Sequence, residues 1–455
     1  MKKLLIVIST LFSIAANAQF SQAAKDSVIK LTQINYQQML NQLGIDQNQI
    51  RPGVSGNPAD INAANRSEEK VNNYKLPDPL KLNNGTIIKN AEEWWSKRRP
   101  EIIKDFDNEI YGQLPKHIPQ IKWEIIAVKD TIIGKYKAKE KTLIGVVDNS
   151  TYPDINVQIE LQIVTPAEVQ GGVPIVMEFG FARPFGNAEI IKPIGIVAAG
   201  EPTWKEQLLS EGWGYSIINP TSFQADNGAG LTSGIIGLVN KGEPRKPAQW
   251  GALRAWAWGA SKAMDYFEVD KDIDVKRIAV EGLSRYGKAA IVAMAYDTRF
   301  SLAFIGSSGA GGAKIMRRVF GEQVENLASS GEYHWFCGNF IKYASKFTPD
   351  NLPVDAHQLI ALCAPRPIFI SSGSPQVEGE WVDAKGMFLG GVNAGSIYRL
   401  LGKKDLGTKI FPHLGAALTD GEIAFRQHAG GHSTGPNWST WIAWASKYWG
   451  VLPVN

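Results

Sequence analysis

Cysteine is almost missing from this chain: 455 residues contain two, Cys337 and Cys363. Two cysteines make no disulfide framework, so the fold must rest on a hydrophobic core. They leave two readings open, a single bridge or two buried free thiols. Long apolar runs are also lacking. Beyond the first 18 residues, no segment reaches the roughly 20 apolar residues of a membrane-spanning helix. No stretch is strongly basic, so composition does not point to nucleic acid. There is no internal repeat and no flexible linker, which favours one domain.

What is there is ordinary globular composition, 44% hydrophobic and 20% charged. The opening MKKLLIVISTLFSIAANA pairs two lysines with a short apolar run and ends in Ala16-Asn17-Ala18. That pattern predicts a secretory signal peptide over residues 1–18, cut before Gln19, and a secreted or periplasmic protein. Removing Lys2 and Lys3 lowers the formal charge from +4 to about +2 by subtraction. Residues 19–85 are polar and rich in Gln and Asn, punctuated at Arg51-Pro52-Gly53 and Leu76-Pro77-Asp78-Pro79. They read as a short helix and a segment wrapped over the same domain, with the main body spanning 86–455.

From Ile121 onward strand-like runs appear: WEIIAV, TLIGVV and VQIELQIV, the last alternating as antiparallel strands do. After Val173 the rhythm becomes apolar strand, turn and amphipathic helix, in PIVMEFG, YSIINP, RIAVEG, LAFIGSSG and PIFISSG. Such alternation predicts an α/β fold, a mainly parallel sheet covered by helices on both faces. Ligands in these folds bind along the edge where strands end.

One junction on that edge carries chemistry. RIAVEG reads as a buried strand and YGKAAIVAMAY as a helix, with Ser284 at the bend between them. This is a nucleophile-elbow arrangement, although the second glycine, Gly287, falls one residue beyond the usual G-x-S-x-G spacing. Gly282 and Gly287 remove side chains where strand and helix meet. Arg285 and Lys288 crowd positive charge onto a helix start, which is unfavourable by tenths of a kcal/mol up to about 1 kcal/mol. The pattern fits a site that receives an oxyanion or another negative group. The backbone N–H of Arg285, and its guanidinium, are the candidates to face that charge. Lys288, one turn on, is placed to reach a substrate hydroxyl or carboxylate.

A serine nucleophile needs a base. Of the six histidines, His432 sits in the glycine-rich HAGGHSTGP after a strand and before the terminal helix WSTWIAWASKYW. His428 is its close competitor. His413 comes too early, and His334 and His357 precede the expected acid. That acid should follow PIFISSG, in SPQVEGEWVDAKG. Glu378 fits best, since Trp381 can pack beside it and Gly379 gives freedom; Glu380 and then Asp383 come after.

These residues are also familiar as a set. GLSRYGK resembles the G-x-S-R-x-G-K elbow of the glucuronoyl esterases, carbohydrate esterase family 15. WGALRAWAWGASKAMDYF, SSGAGGAKIMRRVFGE, HWFCGNF, APRPIFI and HAGGHST resemble the same family, from about Arg51 to near the C-terminus. The resemblance implies an α/β-hydrolase fold, a three-layer αβα sandwich, and a monomer without metal or cofactor. It implies hydrolysis of esters between glucuronic acid on xylan and lignin alcohols, of the 4-O-methyl-glucuronoyl methylesterase type. By position, Ser284 matches the nucleophile, His432 the base and Arg285 the oxyanion arginine. Lys288, Glu322 and Trp381 match residues that contact the uronic sugar. Many members carry a catalytic glutamate just before S-G-x-G-G, where this chain has Ser307. Others place the acid after the seventh strand, where it has Glu378 or Glu380; Gly379 replaces a common aspartate. Two other functions stay open: a serine esterase of other specificity, such as a xylan deacetylase, and a non-catalytic carbohydrate-binding relative. Most of the 14 tryptophans, Trp256 and Trp258 among them, are expected in the core, with Trp381 the exception.

Overall fold

The computed structural model describes residues 2–180 and 201–450. Its sheet has the strand order β1-β2-β3-β5-β4-β6-β7-β8-β10-β9. The members are β1 (Ile121–Ile133), β2 (Tyr136–Val147), β3 (Gln158–Pro166), β4 (Val173–Phe179) and β5 (Gly214–Asn219). Then come β6 (Ile273–Leu283), β7 (Leu302–Gly306), β8 (Ile368–Ser372), β9 (Ala417–Leu418) and β10 (Ile423–Gln427). β5, β4, β6, β7, β8 and β10 run parallel. β1 to β3 extend the sheet antiparallel, as the alternation of VQIELQIV anticipates. β7 and β8 are buried along their whole length. That is the environment short, unbroken apolar runs require. β6 starts earlier than RIAVEG indicates, because Ile273 already pairs with Val173 ahead of a register shift.

The α-helices of seven residues or more among the described residues are α1 (Lys2–Leu43), α2 (Arg99–Glu109), α3 (Trp204–Ser210) and α4 (Ala252–Phe267). They continue with α5 (Arg285–Tyr296), α6 (Ala356–Cys363), α7 (Ala384–Leu400) and α8 (Trp438–Trp449). α3 and α8 cover one sheet face, where Trp213, Trp438, Trp441, Trp444 and Trp449 pack on Phe304 and Phe369. α4, α5, α6 and α7 cover the other. The result is three layers, αβα. Ten of the 14 tryptophans are buried; Trp95, Trp123, Trp204 and Trp381 are not.

α1 is far longer than the short helix expected, and the expected leader forms its first part. Its far end docks through Tyr36, Met39 and Leu40, with the Tyr36 hydroxyl donating to Ala328 O. Residues 44–88 then run over the surface, held by Arg51 to Glu325 and by Asn72 to Arg317 O. No helix among the described residues is long and apolar enough to cross a membrane. Cys337 and Cys363 are free, buried thiols, which removes the bridged alternative. Burial pushes both up to about 12, so they stay protonated and inert.

Candidate active site

Ser284 joins β6 to α5 with φ 61 and ψ −128, a conformation a non-glycine residue avoids. Holding it costs of order 1–3 kcal/mol. Its neighbours supply the restraint: Ser284 N–H donates to Gly306 O at 2.9 Å, and Lys288 N–H donates to Ser284 O at 3.0 Å. The flanking glycines are required by close approach. A Cβ at Gly282 would stand 2.2 Å from Tyr286 O, and one at Gly287 2.7 Å from Gly306 O.

Two strands away, the loops after β8 and β10 are laced together. Ser374 N–H donates to Gly430 O, and His428 N–H to Ser372 O. Gln427 Nε2 donates to Gly373 O. A Cβ on Gly373 would strike Gly431 O at 2.5 Å, so only glycine lets the two loops lie this close. Here Glu378 Oε1 meets His432 Nδ1 at 2.6 Å. The Glu378 side chain is 2% exposed and that of His432 36%. Glu378 Oε2 accepts the Gly373 N–H. The carboxylate thus holds the proton on Nδ1 and leaves Nε2 as a base. Thr434, two residues on, packs where a Cβ on Gly306 would be 2.4 Å from its Cγ2. Gly306 is the residue that receives the Ser284 N–H, so the histidine loop lies against the serine turn.

The competing candidates have other roles. His428 spends both ring nitrogens inside its own loop: Nδ1 accepts from Gly430 N–H and Nε2 donates to Ser433 O. Asp383 caps α7 through Gly386 N–H and pairs with Arg318, so it is not placed to support His432. Glu380 is half-buried and borders Gly321 by its backbone. Ser307 is buried with a hydroxyl that bonds to nothing.

The two cations at the start of α5 each have a protein carboxylate. Lys288 is 3% exposed. Its Nζ donates to Glu322 Oε2 at 3.0 Å and to Ser308 O at 2.8 Å. Glu322 N–H donates in turn to Trp381 O at 2.8 Å. Lys288, Glu322 and Trp381 therefore form one connected wall. Arg285 Nη1 pairs with Asp226 Oδ2 at 2.5 Å. Asp226 also accepts from Trp335 Nε1 at 2.6 Å and bonds His334 Nε2 at 3.0 Å. Burial alone would raise the Asp226 carboxyl, but these hydrogen bonds and the charges of His334 and Arg285 hold it well below the usual range. Trp335 lies under both cations, 5.8 Å from the Arg285 guanidinium and 5.5 Å from Lys288 Nζ. As the first residue of α5, Arg285 also has a backbone N–H with no acceptor inside the helix.

Sequence reasoning missed Asp226; it set His334 aside as a base and gave neither His334 nor Trp335 the role of bonding Asp226. An acid in SFQADNG, just past the end of a parallel strand, was the available signal. Asp226 leaves a testable mark. Asp226→Asn removes the charge that orients Arg285, and kcat is expected to fall about 10- to 100-fold, with KM changing less. A change in KM alone would make Asp226 a ground-state substrate contact.

Two further carboxyls lie just below Ser284. Glu178 on β4 and Glu281 on β6 are ladder partners, so their side chains leave one face about 5 Å apart. Burial, opposed by the charge of Lys205, raises Glu178 to about 7. Burial and then the charge of Glu178 raise Glu281 well above the usual range, against a hydrogen bond from Thr434. Carboxyls raised in the folded state add stability that is complete below the unfolded value of 4.5 and lost as pH climbs through about 7. The melting temperature is expected to fall between about pH 5 and pH 7.5. It should fall less in Glu281→Gln; equal slopes would contradict a titrating pair.

A nucleophile elbow at the end of a parallel strand, with acid and histidine on loops beyond it, defines an α/β-hydrolase. A family model described as glucuronyl esterase, fungi, matches residues 245–402. A carbohydrate esterase, MZ0003, from an unknown prokaryotic organism is 34% identical over 414 residues, 84% of this chain and 92% of that one. The structure of a CE15 glucuronoyl esterase from Teredinibacter turnerae is 41% identical with a TM-score of 0.84, over 92% of this chain and all of that one. A 4-O-methyl-glucuronoyl methylesterase from Cerrena unicolor is 27% identical over 303 residues, 65% of this chain and 56% of that protein. The chain belongs to the glucuronoyl esterase family, carbohydrate esterase family 15.

Proposed function

We propose that the protein is a secreted serine esterase that hydrolyses esters of glucuronic acid and of its 4-O-methyl ether, including those joining lignin alcohols to glucuronoxylan. The observation that carries this is the His432–Glu378 pair at 2.6 Å beside the strained Ser284 turn. His432 Nε2 takes the proton as Ser284 Oγ attacks the ester carbonyl. The oxyanion that forms meets the Arg285 backbone N–H and guanidinium. His432 returns the proton to the departing alcohol, and water then releases the glucuronate from the serine. Lys288 and Glu322, already joined, present an ammonium and a carboxylate to the sugar hydroxyls, with Trp381 as a flat wall. These chain groups supply every step, so the mechanism calls on neither metal nor cofactor.

The leader at residues 1–18 supports export, to the periplasm or beyond. The paired base and acid favour catalysis over a purely carbohydrate-binding role. The test is direct: purified protein is given methyl 4-O-methyl-D-glucuronate or benzyl D-glucuronate, and acid release is followed. Steady release supports the reading; none, from folded protein, overturns it.

Arg285→Ala is expected to lower kcat on the order of 100- to 1000-fold, as loss of an oxyanion donor does. KM should move far less. A rise in KM at constant kcat would reassign Arg285 to ground-state binding.

A further inference from the structure

A cavity lies away from this site. It has a volume of about 960 Å³ and is bounded by α4, the turn after α5 and the approach to β1. Ser284 is at one end of α5 and the cavity at the other; a helix of 12 residues is about 18 Å long. Its walls include Trp123, Arg254, Trp258, Lys262, Tyr266 and Arg299.

Arg254 and Trp258 are the unusual members. They lie at i and i+4 of α4 and so share a face. Arg254 is 8% exposed and Trp258 3%. Arg254 Nε and the Trp258 indole N–H are sealed from solvent, and the Arg254 guanidinium makes no hydrogen bond among the described residues. The nearest carboxylate to Arg254 is Asp107, at 3.8 Å from Nε, and its Oδ1 already accepts the Tyr296 hydroxyl. The guanidinium lies 3.6 Å from the centre of the Tyr296 ring. Of the other cations in the wall, Arg299 bonds Asp297, Asp265 and Glu268 and Lys262 bonds Asp265, while Lys116 adds a further positive charge to the lining. A guanidinium without acceptors is costly to bury, and it can only donate. The matching ligand carries acceptor oxygens and negative charge. Trp123 and Tyr266, 5.7 Å apart between ring centres, add aromatic surface of the kind that lies against a sugar ring. The volume suits one or two sugar units.

We propose that this cavity is a second saccharide site, which takes a hexuronate unit with its carboxylate on the Arg254 guanidinium and its ring against Trp123 and Tyr266. The choice of hexuronate among acidic sugars rests on the proposed esterase reading; the cavity and its unpaired donors do not. A second grip on an acidic glycan would keep the protein on a decorated chain between cleavages.

The experiment is calorimetric titration of the full chain with D-glucuronate, with D-glucose and acetate as controls, on wild type, Trp123→Ala and Arg254→Gln. The expected result is two glucuronate sites per chain, one of them weakened about tenfold or more in both variants. Glucose should bind that site at least about tenfold more weakly, and acetate should not fill it. Hydrolysis of benzyl D-glucuronate by Trp123→Ala should stay within about twofold of wild type. If Arg254→Gln fails to fold, Trp123→Ala carries the test. One site per chain overturns the proposal, as do two sites that neither variant weakens, or acetate binding as well as glucuronate. Absence of hydrolysis in wild type would instead overturn the esterase reading and leave the count of sites standing.

Discussion

Ser284→Ala is expected to lose ester hydrolysis by about 10⁴- to 10⁶-fold while the protein stays folded. The alanine keeps the turn: the Gly306 bond to its N–H and the Lys288 bond to its carbonyl are both backbone. Only the hydroxyl goes, and with it the atom that bonds to the acyl group. What activity remains would come from the oxyanion donors and a water molecule in place of the serine. Melting temperature should therefore change little, because no side-chain bond that holds the turn is removed. A variant that turns over within tenfold of wild type would rule out the serine mechanism.

The second large effect is expected at the acid. Glu378 shares its two oxygens between the His432 ring and the Gly373 backbone N–H. In Glu378→Gln the Gly373 N–H still needs an oxygen, so the amide NH₂ is turned toward His432. Nδ1 then has to accept, and the ring proton moves to Nε2, the atom that should take the serine proton. A wrongly protonated base of this kind costs about 10⁴-fold in kcat. Glu380→Gln and Ser307→Ala should each stay within about threefold, since neither side chain is bonded to His432. If Glu378→Gln keeps full activity, His432 works without that carboxylate; if Glu380→Gln fails instead, the acid has been placed on the wrong glutamate.

How far the site could be read from the sequence depended on local pattern. Ser284, Glu378 and His432 each follow an apolar run closely, and parallel strands end on a common edge, so three separate segments pointed to one place. Which of Glu378 and Glu380 meets His432 depends on the actual path of a short loop, set by Gly373 and the Gly430–Gly431 backbone. Asp226 was out of reach for a different reason. It follows β5, which lies on the far side of β4 from β6, and no periodicity in the sequence encodes that strand order. Lys288 looked like a helix lysine free to meet substrate, yet its pairing with Glu322 spans 34 positions of chain. The fold itself was more legible. Alternation marked the antiparallel strands and unbroken apolar runs the parallel ones, whereas α1 exceeded its expected length because its polar face gave no stop signal before Gly44.

The most direct measurement is a competition in one vessel. Benzyl D-glucuronate and an acetylated xylo-oligosaccharide are supplied together at equal concentration, and both acids are followed as they appear. The Lys288–Glu322–Trp381 wall beside Ser284 should select the uronate. The expected result is glucuronate release at least about tenfold faster than acetate release, with both abolished in Ser284→Ala. Acetate released faster than glucuronate, or glucuronate release that survives in Ser284→Ala, would contradict it.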